Sequence, residues 1–349
     1  MKYTCIDSFS GAGGLSLGLS NSGFEVLFSF DNDQLSVNTQ KNNAKYFKHE
    51  ISCLDITTLK PKLLMKKLGL SRGELTLFAG GPPCQGFSIQ RIGKDLDDRN
   101  SLVSVYIQNV IEFFPKFFLM ENVPGITGKR GKEILEKALS IAEGKGYYIH
   151  KEILDAQNFG VPQRRKRLII VGERLDGAVP LYKFPKPLKK KITVRETISQ
   201  LPVPPLDGTD HESLSLHRRD RLSKLNIERI KFLKPGQGRE FLPDNLLADC
   251  HKVDSSIIGH RNVYGRMYWD DVAPTITARF DSFTRGLFGH PKQNRSITLR
   301  EGALLQTFPK DFTFCGNKVD IARQIGNAVP PKLAFTIGKS IIETLSHGI

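Results

Sequence analysis

The chain has 349 residues, of which 51 are Lys or Arg and 36 Asp or Glu, giving a formal charge of +15 with 39% hydrophobic and 9% aromatic residues. That composition fits a soluble globular protein with one large core and a second lobe; no stretch approaches the roughly 18 uninterrupted apolar residues of a bilayer span, and the opening MKYTCIDSFS lacks the apolar core of a signal peptide, so a cytoplasmic location is expected. Five scattered cysteines (Cys5, Cys53, Cys84, Cys250, Cys315), with no CxxC and no Cys/His pair at zinc-ligand spacing, argue against a disulfide framework or a structural metal, while the surplus of positive charge raises the prospect of a polyanionic partner.

In chain order, the first 180 residues alternate short β-rich apolar runs, YTCIDSF, FEVLFSF, LTLFAG, FFLMENV and RLIIVGE, with longer mixed stretches. The pattern predicts a mostly parallel α/β sheet whose crossover helices lie in 34–47, 59–69, 101–114 and 131–145. After Gly172 the texture changes. Residues 183–234 hold 13 Lys or Arg against 6 Asp or Glu, prolines crowd 180–187 and 202–205, and strand signals become weak. A linker and a basic, loop-rich second lobe are expected there, with one helix near 219–233. Leu333, Ile337, Ile341 and Leu345 recur at i, i+4 after Pro330-Pro331, which predicts a final helix that returns to the first lobe.

Four places carry candidate chemistry. The first strand runs into Asp7-Ser8-Phe9-Ser10-Gly11-Ala12-Gly13-Gly14, where small residues let a cofactor approach backbone N–H groups at a helix N-terminus. Asp31, twenty residues after Gly11, ends the second strand and can accept hydrogen bonds from ribose hydroxyls. Alone, this pattern fits NAD, flavin or S-adenosylmethionine equally, or a plain tight turn, and Ser16 stands where a dinucleotide fingerprint has its third glycine. LTLFAG ends in Gly80-Gly81-Pro82-Pro83-Cys84-Gln85-Gly86-Phe87-Ser88, which puts a cysteine at the carboxyl edge of the sheet, where open α/β folds bind ligands and where a nearby cation lowers a thiol pKa. An isolated cysteine is ordinarily a small buried hydrophobe; the flanking residues reverse that reading. FFLM ends in Glu121-Asn122-Val123-Pro124, a carboxylate at the same edge that could otherwise cap a helix, and Gln163-Arg164-Arg165-Lys166-Arg167 precedes LIIVG, as an anion clamp or a solvated face.

These strings together closely resemble the DNA cytosine-5 methyltransferases. DSFSGAGG (7–14), GGPPCQGFS (80–88), ENV (121–123), QRRKR (163–167), RSITLREGALLQTFP (295–309) and QIGNAVPP (324–331) occur in that family's order and leave only about 185–260 uncovered. The resemblance implies a Rossmann-like, S-adenosylmethionine-dependent methyltransferase fold: a catalytic domain over 1–180 completed by 319–349, and a smaller target-recognition domain over 181–318. It implies that Phe9, Gly11 and Gly13 line the S-adenosylmethionine pocket, that Asp31 holds the ribose, that Asp55 and Ile56 meet the adenine, and that Pro83, Leu102 and Asn327 are further cofactor contacts. Asp31-Asn32 departs from the Glu followed by a large apolar or aromatic residue that is common at those positions.

The implied chemistry is addition of the Cys84 thiolate to carbon 6 of a flipped-out cytosine, which makes carbon 5 nucleophilic toward the methyl group. Glu121, protonated through burial, would donate to ring N3 and bond the exocyclic amine, Arg165 would contact the base carbonyl O2, and Arg167 would support the loop or a phosphate. S-adenosylhomocysteine would be the product, and no metal is required. Residues 88–100 suit a lid that closes on DNA. Lys189, Lys190, Lys191, Arg218, Arg219 and Arg221 are candidate phosphate contacts; Gln237-Gly238-Arg239, His260-Arg261-Asn262 and 279–285 are candidate base-reading stretches. The partner implied is double-stranded DNA, with a monomeric enzyme of the prokaryotic or phage type typically paired with a restriction endonuclease. Three rival readings are an RNA-methylating branch of the same family, whose nucleophile loop usually carries a Thr-containing variant, a catalytically dead DNA-binding module, and a nicotinamide oxidoreductase, which would explain only the first 31 residues.

Overall fold

The computed structural model describes residues 2–83, 101–249 and 263–347. Two compact units make up the chain: 1–159 with 166–187 and 329–349, and 160–165 with 188–328. In the first unit a seven-stranded sheet is built from β1 (Tyr3–Ser8), β2 (Phe24–Asp31), β3 (Glu50–Cys53), β4 (Leu77–Gly80), β5 (Phe117–Asn122), β6 (Tyr147–Asp155) and β7 (Lys166–Arg174), in the order β3-β2-β1-β4-β5-β7-β6. All pairings from β3 to β5 are parallel, and β7 runs antiparallel to both of its neighbours. This is the mostly parallel α/β sheet expected, with two strands, β3 and β6, beyond the five apolar runs.

The helices α1 (Gly14–Ser22), α2 (Gln34–Asn42), α3 (Pro61–Leu68), α4 (Ser101–Phe113) and α5 (Lys129–Glu143) fill the crossovers. Local chemistry sets their ends: Asp33 accepts from Leu35 N to cap α2, Pro61 opens α3, and left-handed glycines close α1 and α3. One face of the sheet packs Ile6, Phe28, Phe78, Phe118 and Met120 against Tyr106, Val110 and Phe113 of α4 and Leu135 of α5.

Strand order reverses between β1 and β4, the topological switch at which open α/β sheets bind ligands beyond the carboxyl ends of their strands. The two strands run so close that a Cβ on Gly80 would fall 2.3 Å from Ser8 Oγ, so glycine is required there.

The second unit carries α6 (Val194–Ile198), α7 (Lys224–Phe232), α8 (Leu299–Leu305) and α9 (Lys318–Asn327), and between them it is largely loops and short 3-10 turns. Ile230, Leu233, Leu242, Tyr264 and Phe283 form one of its cores. Arg266 is buried and donates to the carbonyls of Ile230, Leu233, His290 and Gln293, and Arg295 makes a bidentate pair with Glu301, both bonds at 2.7 Å. Buried guanidiniums thus do the work that a sheet ladder does in the first unit, satisfying loop carbonyls that water cannot reach. Among the described residues no helix is long and apolar enough to cross a membrane.

The final helix, α10 (Pro331–His347), returns to the first unit as expected and lies on α1. Contact is close because Gly18 has no side chain: a Cβ there would lie 2.3 Å from Pro331 O and 2.4 Å from Ala334 Cβ. Gly18→Val is therefore expected to destabilise the protein by about 3 kcal/mol through forced separation of the two helices; thermal unfolding of the two forms side by side checks this, and an unchanged midpoint would refute it.

Candidate active site

The loop that follows β1 is held in a conformation that few residues adopt. Phe9 (φ 55), Gly11 (φ 52) and Gly13 (φ 87) all lie in the left-handed region, and Phe9 does so without being glycine. Gly13 N donates to Ser10 O at 2.8 Å, and Gly13 is also the N-cap of α1, so the loop ends on a helix N-terminus with its partial positive charge. Nothing lies within 4 Å of where a Gly11 Cβ would be, which leaves open space over the loop, whereas a Cβ on Gly13 would strike Phe47 at 2.5 Å. Asp31, at the carboxyl end of β2, accepts from Gly11 N at 2.8 Å and from Asp33 N at 2.9 Å. Loop and carboxylate therefore form one unit, as a site for an uncharged polyol beside a small backbone cradle would need.

On β3's side, Asp55 caps the turn Ile56–Thr58 by accepting from Thr57 N (2.8 Å) and Thr57 Oγ1 (2.7 Å), and Leu54 N donates to Asp31 O at 2.9 Å. Ile56 is buried in the core, with Phe9 and Leu102 half-buried against the same cluster. The structure thus gathers Phe9, Gly11, Gly13, Asp31, Asp55, Ile56 and Leu102 in the first unit, while Asn327 is an exposed residue at the end of α9 in the second.

Beside this loop, β4 delivers Gly81, Pro82 and Pro83. Asn122 Nδ2 donates to Pro82 O at 2.8 Å, tying the end of β5 to the loop that leads to Cys84. Glu121 lies against the same loop, with Oε2 only 3.4 Å from where a Gly81 Cβ would be. Its Oε1 meets Arg167 Nε at 2.7 Å, and both side chains are 13% exposed. The reversed strand explains this pair: because β7 runs antiparallel to β5, its first residues reach the carboxyl edge, and Glu121 stands opposite Ile169. Cys84 itself, residues 88–100 and His260-Arg261-Asn262 lie outside the described residues.

Arg165 belongs to the second unit. Its guanidinium is 1% exposed and donates to Ile276 O (3.0 Å), Gly326 O (2.9 Å) and Ala328 O (3.0 Å), all within the second unit. Such a group organises backbone, and Arg167 is the cation at Glu121. Arg239, in one candidate base-reading stretch, is buried as well, while Lys189, Lys190, Lys191, Arg218, Arg221, Arg279 and Arg285 are exposed. Of these, Lys190 pairs with Glu196, Arg218 with Asp210 and Arg279 with Asp281.

The family model for C-5 cytosine-specific DNA methylases matches residues 3–343. The chain belongs to that family. Similar proteins agree over nearly the whole chain: the Type II methylase M.HgiDII of Herpetosiphon aurantiacus is 34% identical, covering 98% of this chain and 95% of that protein, and the Type II methyltransferase M1.HphI of Haemophilus parahaemolyticus is 34% identical over 98% and 87%. Among solved structures, a prophage-encoded E. coli protein described as a DNA modification methyltransferase superposes with a TM-score of 0.76 at 27% identity, covering 99% of this chain and all of that one. The protein is thus a cytosine-5 DNA methyltransferase with that family's α/β fold.

For this methyltransferase one titratable group beneath the loop was not foreseen as special. Asp7 is fully buried on β1; one carboxylate oxygen accepts from Ser16 Oγ at 2.5 Å and the other meets no polar partner. Burial pushes its pKa from 3.8 to about 7, against the bonds from Ser16, which lower it, and with a smaller upward push from Asp31. Between those two values the folded state binds more protons than the unfolded chain. Stability attributable to Asp7 is therefore greatest at low pH, falls as pH rises from about 4 to about 7, and levels off above, a change of up to about 4 kcal/mol. Asp7→Asn, which keeps an acceptor for Ser16, is expected to flatten this part of the stability profile and to be the more stable form at pH 8; denaturant unfolding at pH 5 to 8 measures both, and parallel profiles would contradict the assignment.

Proposed function

We propose that this methyltransferase transfers the methyl group of S-adenosylmethionine to carbon 5 of a flipped-out cytosine in duplex DNA, through a covalent bond to Cys84. The observation that carries the reading is the Glu121–Arg167 pair set against Gly81, three residues before Cys84, at the sheet edge that also bears the left-handed loop. The cofactor reading rests on the residues present: the Phe9–Gly13 cradle, the open space over Gly11 and the oriented carboxylate of Asp31 suit the ribose and amino-acid portions of a nucleoside cofactor. Asp55, Ile56, Pro83, Leu102 and Asn327 are the further contacts proposed. When bound, S-adenosylmethionine supplies an electrophilic methyl group and leaves as S-adenosylhomocysteine.

The protein's own groups do the rest. As the Cys84 thiolate forms a bond to carbon 6, negative charge spreads over the ring toward N3 and O2. A proton held between Glu121 and N3 and the Arg167 guanidinium beside O2 offset that charge, which makes carbon 5 a competent nucleophile. After carbon 5 is methylated, its proton is lost to water, the electron pair re-forms the 5,6 double bond, and the sulfur–carbon 6 bond breaks to return the thiolate. In this reading Arg167 takes the contact to O2 and Arg165 holds the second unit's loops together. The first unit is the catalytic domain and the second the target-recognition domain, whose exposed cations meet phosphates. Because its relatives are Type II methyltransferases, we assign the chain to a restriction-modification system, acting as a cytoplasmic monomer alongside a cognate endonuclease.

Incubation with methyl-labelled S-adenosylmethionine and mixed-sequence duplex DNA is expected to yield 5-methylcytosine with the wild type and none with Cys84→Ser. Methylation of transfer RNA alone, or of neither substrate, would overturn the reading. Arg167→Ala and Glu121→Gln are expected to lower kcat by roughly 100-fold or more while leaving the folded structure intact. Arg165→Met, by contrast, is expected to show mainly as a loss of stability of about 3 kcal/mol, because the buried carbonyls of Ile276 and Gly326 lose the donor that Arg165 supplies, while Ala328 O keeps Gln306. Equal kinetic losses at normal stability for both arginines would remove the division of roles.

A further inference from the structure

Resting on the cofactor reading above, we infer that Gln40, oriented by Ser29 and His49, is a positioning residue that holds the loop Phe9–Gly13 in its cofactor-binding shape. Gln40 sits in the last turns of α2, fully buried. Its amide nitrogen donates to Gly11 O at 2.7 Å and to Ser10 Oγ at 2.8 Å. Gly11 O can only accept, so the amide must face it with its NH₂ group, and the orientation is fixed by chemistry. The amide oxygen then points away from the loop, where Ser29 Oγ donates to it at 2.9 Å, and Ser29 is in turn 2.9 Å from His49 Nε2.

Directionality runs through the whole chain. Ser29 has one proton and spends it on Gln40, so its oxygen accepts, and His49 carries its proton on Nε2. Burial lowers the His49 pKa to about 4, so the imidazole is neutral near pH 7 and the network holds no net charge. At the other end, Gly11 is gripped on both sides of its residue: Gln40 takes its carbonyl and Asp31 Oδ2 takes its N–H at 2.8 Å. Phe9, Gly11 and Gly13 sit at positive φ, a conformation that persists only when its surroundings impose it. The bond donated by Gln40 and the bond accepted by Asp31 serve that purpose, together with Ser10 N to Phe30 O at 3.1 Å and Gly13 N to Ser10 O at 2.8 Å. Without Gln40, Gly11 O and buried Ser10 Oγ lose that donor, and the Gly11 N–H on Asp31 Oδ2 is no longer held in place, while Asp33 N stays on Oδ1.

The deciding experiment is isothermal titration of the protein with S-adenosylhomocysteine. Gln40→Met, close in size and without hydrogen bonds, is expected to weaken binding by about tenfold or more, and Ser29→Ala, which unseats the amide without touching the loop, by about three- to tenfold. With saturating cofactor, kcat and the KM for DNA are expected to stay near wild type, so that the loss falls on the KM for cofactor. Leu135→Ala, a truncation on α5 in the core, lowers stability while leaving the bonds of Gln40 and Asp31 to Gly11 in place and is expected to leave the affinity unchanged. If Gln40→Met does not fold, Ser29→Ala and His49→Ala decide. Wild-type affinity in folded Gln40→Met, or an equal loss in Leu135→Ala, would overturn the inference. No binding by the wild type would instead remove the cofactor reading beneath it.

Discussion

Everything at the site depends on β1 and β4 lying side by side while the chain departs from them in opposite directions. That arrangement sends the loop after Ser8 and the loop after Gly80 out of the same edge, with no helix crossing between them. Intimacy of the two strand ends is bought with Gly80, where any side chain would collide with Ser8. Once the two loops are fixed, the neighbouring β5 can only deliver Glu121 next to Gly81. The reversal of β7 is then essential: with the same residues paired in the parallel sense, Arg167 would stand level with Lys116, five residues or about 16 Å along the sheet from Glu121 and at the opposite edge.

The arginines show why charge type alone does not assign a role. Arg165 and Arg167 are two residues apart in a run of four cations, and nothing local separates them. Their surroundings separate them completely. Arg165 lies just before β7 and is enclosed by carbonyls from two distant segments, so moving it would orphan buried acceptors. Arg167, one residue into the strand, has a carboxylate at its Nε and retains some exposure, so a ligand that meets Glu121 meets it too. The resemblance puts Arg165 at the base; the proposal that Arg167 takes that place rests on this difference in burial and partners.

Much of the first unit was legible because its physics is local. Strands β1, β2, β4, β5 and β7 are apolar runs covered on both faces, and the helices between them keep a buried stripe. Strand β3 is only four residues, and β6, YYIHKEILD, is an edge strand with Tyr148, Lys151, Glu152 and Ile153 exposed, so neither stands out from its surroundings. The same contrast holds at the site. Gly11, Asp31 and Glu121 announce themselves by type and by position at strand ends. Gln40 does not, because a glutamine inside a helix acquires its role only when the fold brings it to a loop thirty residues upstream. Asp7 is likewise marked only by what encloses it.

The second unit was legible mainly as composition, and composition overstates what it offers to a polyanion. Several of its cations are internal: Arg229, Arg239, Arg266, Arg295 and Arg300 are buried, and Arg266 and Arg295 are held by carbonyls and by Glu301. These charges still contribute to the field that draws DNA toward a protein of charge +15, since a field sums over all charges wherever they lie. They release no counterions on binding, because that requires contact with phosphate. Lys189, Lys190 and Lys191 on one stretch and Arg218 and Arg221 on another are exposed enough to make such contacts. In the proposed reading, long-range attraction and phosphate contact therefore fall to different residues: the buried arginines shape the loops, and that shape leaves only the remaining cations exposed to a polyanion.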